Sequence, residues 1–170
     1  MAAHAEKPST PSHLESSTDP SPAHVSHAWR PGRVPIAMVL VVGCGGVVGA
    51  ICRYFVQYGL PSHSGRFPTG TFIVNLSGSA LLGLLLVVVN GRFADRRLAR
   101  PLLGTGVIGA YTTFSTFSVE AVLLVRAGQV GTAAVYVTLS VTLGLAAGFA
   151  GMSAGRLSLR RLSEAEEFEW

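Results

Sequence analysis

The sequence predicts an all-α integral membrane protein with four transmembrane helices. Three observations carry that reading. Charged residues make up 13% of the 170-residue chain and hydrophobic ones 49%, whereas a soluble domain carries about a quarter charged residues. Four apolar runs, at residues 34–58, 69–91, 101–125 and 127–155, each reach the ~20 residues a spanning helix needs. The basic residues flank these runs and form no single patch, which is a membrane pattern and speaks against a nucleic-acid partner. Backbone groups in lipid must find their hydrogen-bond partners within the segment, so the runs are helices and not strands.

Taken in order, the first segment is residues 1–33, rich in Pro, Ser, Thr and His and poor in aliphatics. It buries too little apolar surface to offset its ordering entropy, so a disordered tail is expected. It has no early basic region followed by an apolar one, so it does not read as a signal peptide. His4, His13, His24 and His27 are irregularly spaced and read as solvated side chains. The first apolar run is uncharged from residue 34 to 52 and then meets Arg53. A long cation near a helix end snorkels to water or lends positive potential to a vestibule. Cys44 and Cys52 share this run without a CxxC or a His/Cys ligand spacing, so they read as small membrane-buried residues.

The second run contains Asn75 in "GTFIVNLSGSALLG". Its amide donates two hydrogen bonds. The ordinary use is a bond to a neighbouring helix; the other is to hold an anion. The third run has Glu120 as its only charge and carries "GAYTTFSTFSVE", residues Gly109 to Glu120. Five hydroxyls in seven residues, after Gly104, Gly106 and Gly109, predict a break in the third helix. Irregular backbone at that depth is tolerated where it is buried in protein or lines a watery cavity, and broken helices offer N–H groups to anions and carbonyls to cations. The competing reading is that Ser and Thr bond back to the preceding turn and bend the helix. Phe114 and Phe117 lie three apart, the spacing of ordinary core partners. Their ring edges carry positive potential and suit a weakly held anion. The fourth run is uncharged and places Tyr136 and Ser140 one turn apart as a polar track. Residues 156–170 read as a polar tail ending in a helix end.

Small residues recur in every run. Gly45, Gly46, Gly49 and Ala50, then Gly78 and Gly83, then Gly144, Gly148, Gly151 and Gly155 follow the small-xxx-small pattern of close helix contact. Four helices enclose little volume, so a transport pathway needs an oligomer.

"GGVVGAICRY", "GTFIVNLSGSALLG" and "GAYTTFSTFSVE" resemble, in order, the three signature regions of the CrcB/Fluc fluoride channel family, and the similarity extends over residues 36–155. Two departures, Ala110 where a second Gly is common and Ala80 where Phe is common, remove no ligand. The resemblance implies an antiparallel dimer of four-helix subunits with two pores. It implies Phe114 and Phe117 as ring-edge ligands, Asn75 as an amide ligand, and Ser115, Thr116, Tyr136 and Ser140 as a polar track. It also implies that the backbone carbonyls of Gly109 and Thr112 hold a structural sodium ion shared between subunits. The expected function is passive export of fluoride across the cell membrane, with no enzymatic step: the sequence shows no P-loop, metal-ligand motif or nucleophile–base pair. Glu120 is expected near the pore mouth, hydrogen-bonded to hydroxyls or partly protonated; the competing reading is a helix-end carboxylate that snorkels to water.

Two other classes are weighed. A small multidrug-resistance-type proton-coupled exporter needs a carboxylate in its first helix, and this first helix has none. The other is a purely structural membrane subunit that helps a partner fold or insert, which fluoride efflux without a proton gradient separates from both. Charge bias bears on the partner. Four spans put both termini and the second connection on one side, with Lys7, Arg30, Arg33, Arg92, Arg96, Arg97, Arg100, Arg156, Arg160 and Arg161; the other side has Arg66 and Arg126. Ten against two predicts cytoplasmic termini. A chain with one fixed orientation reaches an antiparallel dimer by pairing with a homologous paralogue of opposite bias; a homodimer would need dual insertion.

Overall fold

The computed structural model describes residues 35–63, 65–92 and 98–167. The segment expected to be disordered at 1–33, Arg96 and Arg97 of the second connection, and residues 168–170 lie outside them. All regular structure among the described residues is helical: α1 (Ile36–Gly59), α2 (Thr69–Arg92), a π-helical stretch (Pro101–Ile108), α3 (Gly109–Tyr111), α4 (Phe114–Arg126) and α5 (Val130–Glu167). Four segments are long and apolar enough to cross a membrane, Ile36–Gly59, Thr69–Gly91, Pro101–Arg126 and Val130–Arg161. The chain is a multi-pass all-α membrane protein.

Helix α5 begins at Val130, three residues later than the hydropathy suggests, because a turn intervenes. Gly128 takes φ +74, its N–H donates to the Val125 carbonyl at 3.0 Å, and the Gln129 N–H donates to the Leu124 carbonyl at 2.9 Å. This pair of bonds is a Schellman motif closing α4, and it needs a residue at ease in the left-handed region. At its other end α5 continues past Gly155. Its 38 residues at ~1.5 Å each span about 57 Å, well beyond the ~30 Å hydrocarbon layer. Leu159 of this extension packs over Gly91 at the end of α2.

Small residues set the helix pairs. Helix α1 packs on the π-helical stretch and α3, and α2 packs on α5. At Gly45 an added Cβ would lie 2.5 Å from the Leu102 carbonyl oxygen, and at Gly49 it would strike the Val107 carbonyl. Between α2 and α5, a Cβ at Gly83 would strike the Gly148 carbonyl, and one at Gly151 the Ala80 carbonyl. Backbone therefore meets backbone across both seams, the close approach that drives helix association in lipid.

The interior is small. Val74, Val89, Ile108, Leu124, Ala133 and Tyr136 are its buried hydrophobic members, while Val39, Val47, Leu145 and Phe149 are among many exposed ones. An apolar surface this extensive is stable against lipid or a second subunit, not against water. Tyr54, Phe55 and Tyr58 form an exposed aromatic group at the end of α1, with Tyr54 stacked on Tyr58 and edge-on to Phe55, the composition of a membrane–water belt.

The third span is one apolar segment made of joined pieces. It opens as a π-helix, a rare geometry found frequently at functional sites. After Tyr111 the backbone extends, with Thr112 at φ −76, ψ 158 and Thr113 at φ −147, ψ 122, and helical geometry resumes at Phe114. Thr113 caps α4: its Oγ1 accepts the Thr116 N–H at 3.2 Å, as N-cap threonines do.

Candidate functional site

The extended joint at Thr112 and Thr113 is held from α2. The Asn75 Nδ2 donates to the Thr113 carbonyl at 2.9 Å, and the Thr113 N–H donates to Asn75 Oδ1 at 2.9 Å. One side chain thus pairs both backbone groups of one residue, as a neighbouring strand would. An amide carries two N–H donors, so Asn75 retains one beyond this clamp. One turn further along α2, Gly78 leaves room for Thr112: a Cβ there would strike the Thr112 methyl group. The Ser77 and Tyr111 hydroxyls lie 2.9 Å apart and add a second tie between α2 and the joint.

These bonds change what happens to two carbonyls. In a continuous helix the Gly109 carbonyl would receive the Thr113 N–H, and the Thr112 carbonyl the Thr116 N–H. Here the first N–H goes to Asn75 Oδ1 and the second to Thr113 Oγ1. Both carbonyls lose their helical donors. Gly109 and Thr112 also line one open recess of about 320 Å³ with Asn75, Ser79, Thr113 and Phe114.

The five hydroxyls of the joint divide by use. Thr112 and Ser118 bond back to the carbonyls of Ile108 at 3.0 Å and Phe114 at 2.9 Å, which is the helix-bending reading. Thr113 caps α4 and donates to Thr116 Oγ1 at 3.0 Å. Ser115 is exposed, with its oxygen 3.3 Å from Thr113 Oγ1.

The two phenylalanines differ sharply. Phe114 is 81% exposed, whereas Phe117 is half-buried against the Leu124–Ala133–Tyr136 cluster. Their ring centroids stand 6.0 Å apart at 37°. Phe117 lies 5.1 Å from the ring of Tyr136, which is also met edge-on by Phe67 at 5.3 Å.

Tyr136 leads to Glu120. The Tyr136 hydroxyl donates to Glu120 Oε2 at 2.9 Å, while Ser62 at 3.1 Å and Thr71 at 3.0 Å donate to Oε1. Gln57 of α1 donates to Thr71 Oγ1 at 3.2 Å. One half-buried carboxylate therefore joins all four spans through hydroxyls. A recess of about 190 Å³ lined by His63 and Arg66 reaches it. Next along α5, Ser140 holds the one buried side-chain oxygen without a hydrogen-bond partner among the described residues.

The structure thus brings Asn75, Ser115, Thr116 and Phe114 together at the joint, and Phe117, Glu120 and Tyr136 at a second cluster one turn on. Arg53 joins neither; it is half-buried on α1 and its side chain enters none of the side-chain hydrogen bonds among the described residues. Gln57, Ser62, Thr71, Ser77 and Tyr111 belong to these networks and escaped the sequence reading. Gln57 and Thr71 carried a signal, as polar groups in or beside apolar runs; Ser62, in a connection, carried none.

Four apolar spans with converging polar groups, and an irregular joint in the third, define a small multi-pass membrane protein with a polar interior. Residues 40–152 match the family model described as CrcB-like protein, Camphor Resistance (CrcB). The chain is 48% identical over 122 residues to the fluoride-specific ion channel FluC of Cereibacter sphaeroides strain ATCC 17029, covering 71% of this chain and 96% of that one. It is 43% identical over 116 residues to the fluoride-specific ion channel FluC 2 of Streptomyces avermitilis, covering 68% and 72%. With the fluoride-specific ion channel FluC of Oceanobacillus iheyensis it shares 44% over 117 residues, covering 67% and 88%. The chain belongs to the CrcB/FluC family.

Proposed function

We propose that this chain is a subunit of a fluoride channel that lets the anion leave the cytoplasm passively. Hydrogen fluoride crosses bilayers as a neutral weak acid and ionises in a near-neutral cell. A membrane potential negative inside then drives fluoride out, and a channel needs no coupled energy source. The observation that carries this reading is the joint of the third span: Asn75, an exposed Phe114 and the capped Thr113–Thr116 turn meet at membrane depth, in a chain whose relatives are named fluoride-specific channels.

In this reading the joint is a functional break in the third helix. The edges of Phe114 and Phe117 and the remaining Asn75 N–H contact the anion. Ser115, Thr116 and Ser140 offer O–H groups along its path, and the partnerless Ser140 oxygen favours that role; Tyr136 lines the path with its single O–H donated to Glu120. Arg53 adds positive potential to a vestibule, and Glu120 sits near a pore mouth with its charge held by hydroxyls. The carbonyls of Gly109 and Thr112 hold sodium. They suit it as oxygen donors for a hard cation that lack their helical partners. Such an ion would supply positive charge at the joint and help to hold the subunits together.

The second subunit lies antiparallel. An 81% exposed Phe114 beside the open recess favours a partner that completes the site. The charge bias favours a homologous paralogue over a second copy, with this chain's termini in the cytoplasm. The test is fluoride efflux from liposomes, followed with an electrode, with potassium and valinomycin and no proton gradient. The chain is reconstituted alone and with the homologue of opposite bias. Efflux is expected when the two chains are reconstituted together; efflux from this chain alone would favour a homodimer. Efflux only when a proton gradient is imposed would select the coupled exporter, and none in either preparation would select the structural subunit.

A further inference from the structure

We infer that Asn75 and Thr113 are positioning residues for the cation site, a role separate from any contact with the anion. The inference rests on the sodium reading above and deepens it. An uninterrupted helix would bury the carbonyls of Gly109 and Thr112 in backbone hydrogen bonds. Two side-chain acceptors prevent this. Asn75 Oδ1 takes the Thr113 N–H at 2.9 Å, and Thr113 Oγ1 takes the Thr116 N–H at 3.2 Å. The Asn75 Nδ2 also holds the Thr113 carbonyl at 2.9 Å, so the clamp fixes the extended backbone from both sides. The donors diverted are the two that an α-helix would aim at those two carbonyls. The carbonyls are left to a cation because the N–H groups are occupied elsewhere. Gly78 completes the arrangement by admitting Thr112 against α2.

The consequence is that Asn75 serves two ions at once. One N–H and the oxygen of its amide are committed to the joint, and the other N–H has no partner among the described residues. Removing the side chain returns the Thr113 N–H to Gly109 and weakens sodium binding, even when no fluoride is present. A residue that only contacts the anion has no such effect.

The test measures sodium directly, in fluoride-free detergent, on the assembled protein. Thermal unfolding is recorded as N-methyl-D-glucamine is replaced by sodium. Asn75→Ala, Thr113→Val and Thr113→Ser are compared with the wild type, and backbone amide exchange is followed across residues 109–116. The wild type is expected to be stabilised by sodium. Asn75→Ala and Thr113→Val are expected to need at least about tenfold more sodium for half the effect, with altered exchange at Thr113 and Thr116. Thr113→Ser keeps the accepting oxygen and is expected to keep the wild-type response. If Asn75→Ala fails to assemble, the Thr113 pair decides. A sodium response unchanged in the Ala and Val variants overturns the positioning role and leaves the cation reading standing. A wild type indifferent to sodium overturns both.

Discussion

Phe114 presents most of its ring outside the subunit while Phe117, one turn on, rests on Tyr136. If both act through their edges, replacing each with Ile keeps bulk and deletes the quadrupole. Phe114→Ile and Phe117→Ile are each expected to cut fluoride flux by at least about tenfold, equivalent to ~1.4 kcal/mol of barrier, with the dimer intact by size-exclusion chromatography. Wild-type flux in both variants would make them packing residues. Glu120 differs in kind, because it is also a structural hub. In Glu120→Gln either amide orientation turns one oxygen into a donor, so at least one of Ser62, Thr71 and Tyr136 loses its acceptor. Tyr136 is fully buried, and an unpaired buried hydroxyl costs about 1–3 kcal/mol. A loss of that order in thermal stability, with altered flux, is expected; unchanged stability together with unchanged flux over a broad pH range would mark Glu120 as a carboxylate that merely snorkels. At this scale the sequence made the outliers legible, since Asn, Glu and clustered hydroxyls are costly in lipid. It did not show their partners, because the bonds from Glu120 to Thr71 and Ser62 cross 49 and 58 residues.

The elements are held by backbone contact, more than by a large core. Gly151 sits where a side chain would strike the Ala80 carbonyl, whereas Gly131 has nothing within 4 Å of an added Cβ. Gly151→Val is expected to separate α2 from α5 and to cost about 1–3 kcal/mol, read as a lower unfolding temperature in detergent. Gly131→Ala is expected to be neutral or stabilising by up to ~1 kcal/mol, since Gly is a poor helix former. Equal effects from the two would show that the α2–α5 seam is not set by close approach. The four spans were legible from run length alone. Their pairing was not: every run carries small residues at helical spacing, so the pattern says that close seams exist without saying which helices share them. The π-helical opening of the third span was equally hidden, because no residue type in "PLLGTGVI" demands it.

For the whole molecule, orientation and partner are linked. The ten-to-two charge bias favours a single insertion with termini inside. With Cys44 and Cys52 replaced, a cysteine added at either terminus is expected to react with a membrane-impermeant reagent only after the cells are opened. Comparable labelling from both sides in intact cells, with fluoride conduction by this chain alone, would overturn the heterodimer proposal in favour of a homodimer made by dual insertion. The extent of exposed apolar surface fits either assembly.

By itself the sequence determined the class, the number of spans and the polar residues that single out the third span. Those properties follow from local quantities: the length of an apolar run, the cost of a polar group in lipid, and the charge on each connection. Tertiary structure decided where each polar group spends its hydrogen bonds. Asn75 reads as an isolated amide in the chain, and only the approach of α2 to the joint turns it into a clamp on Thr113. Glu120 reads as an isolated charge, and only the convergence of a connection and two other helices surrounds it with hydroxyls. The freed carbonyls of Gly109 and Thr112 are furthest from the sequence, because every residue carries a carbonyl, and what distinguishes these two is that their donors are bonded elsewhere.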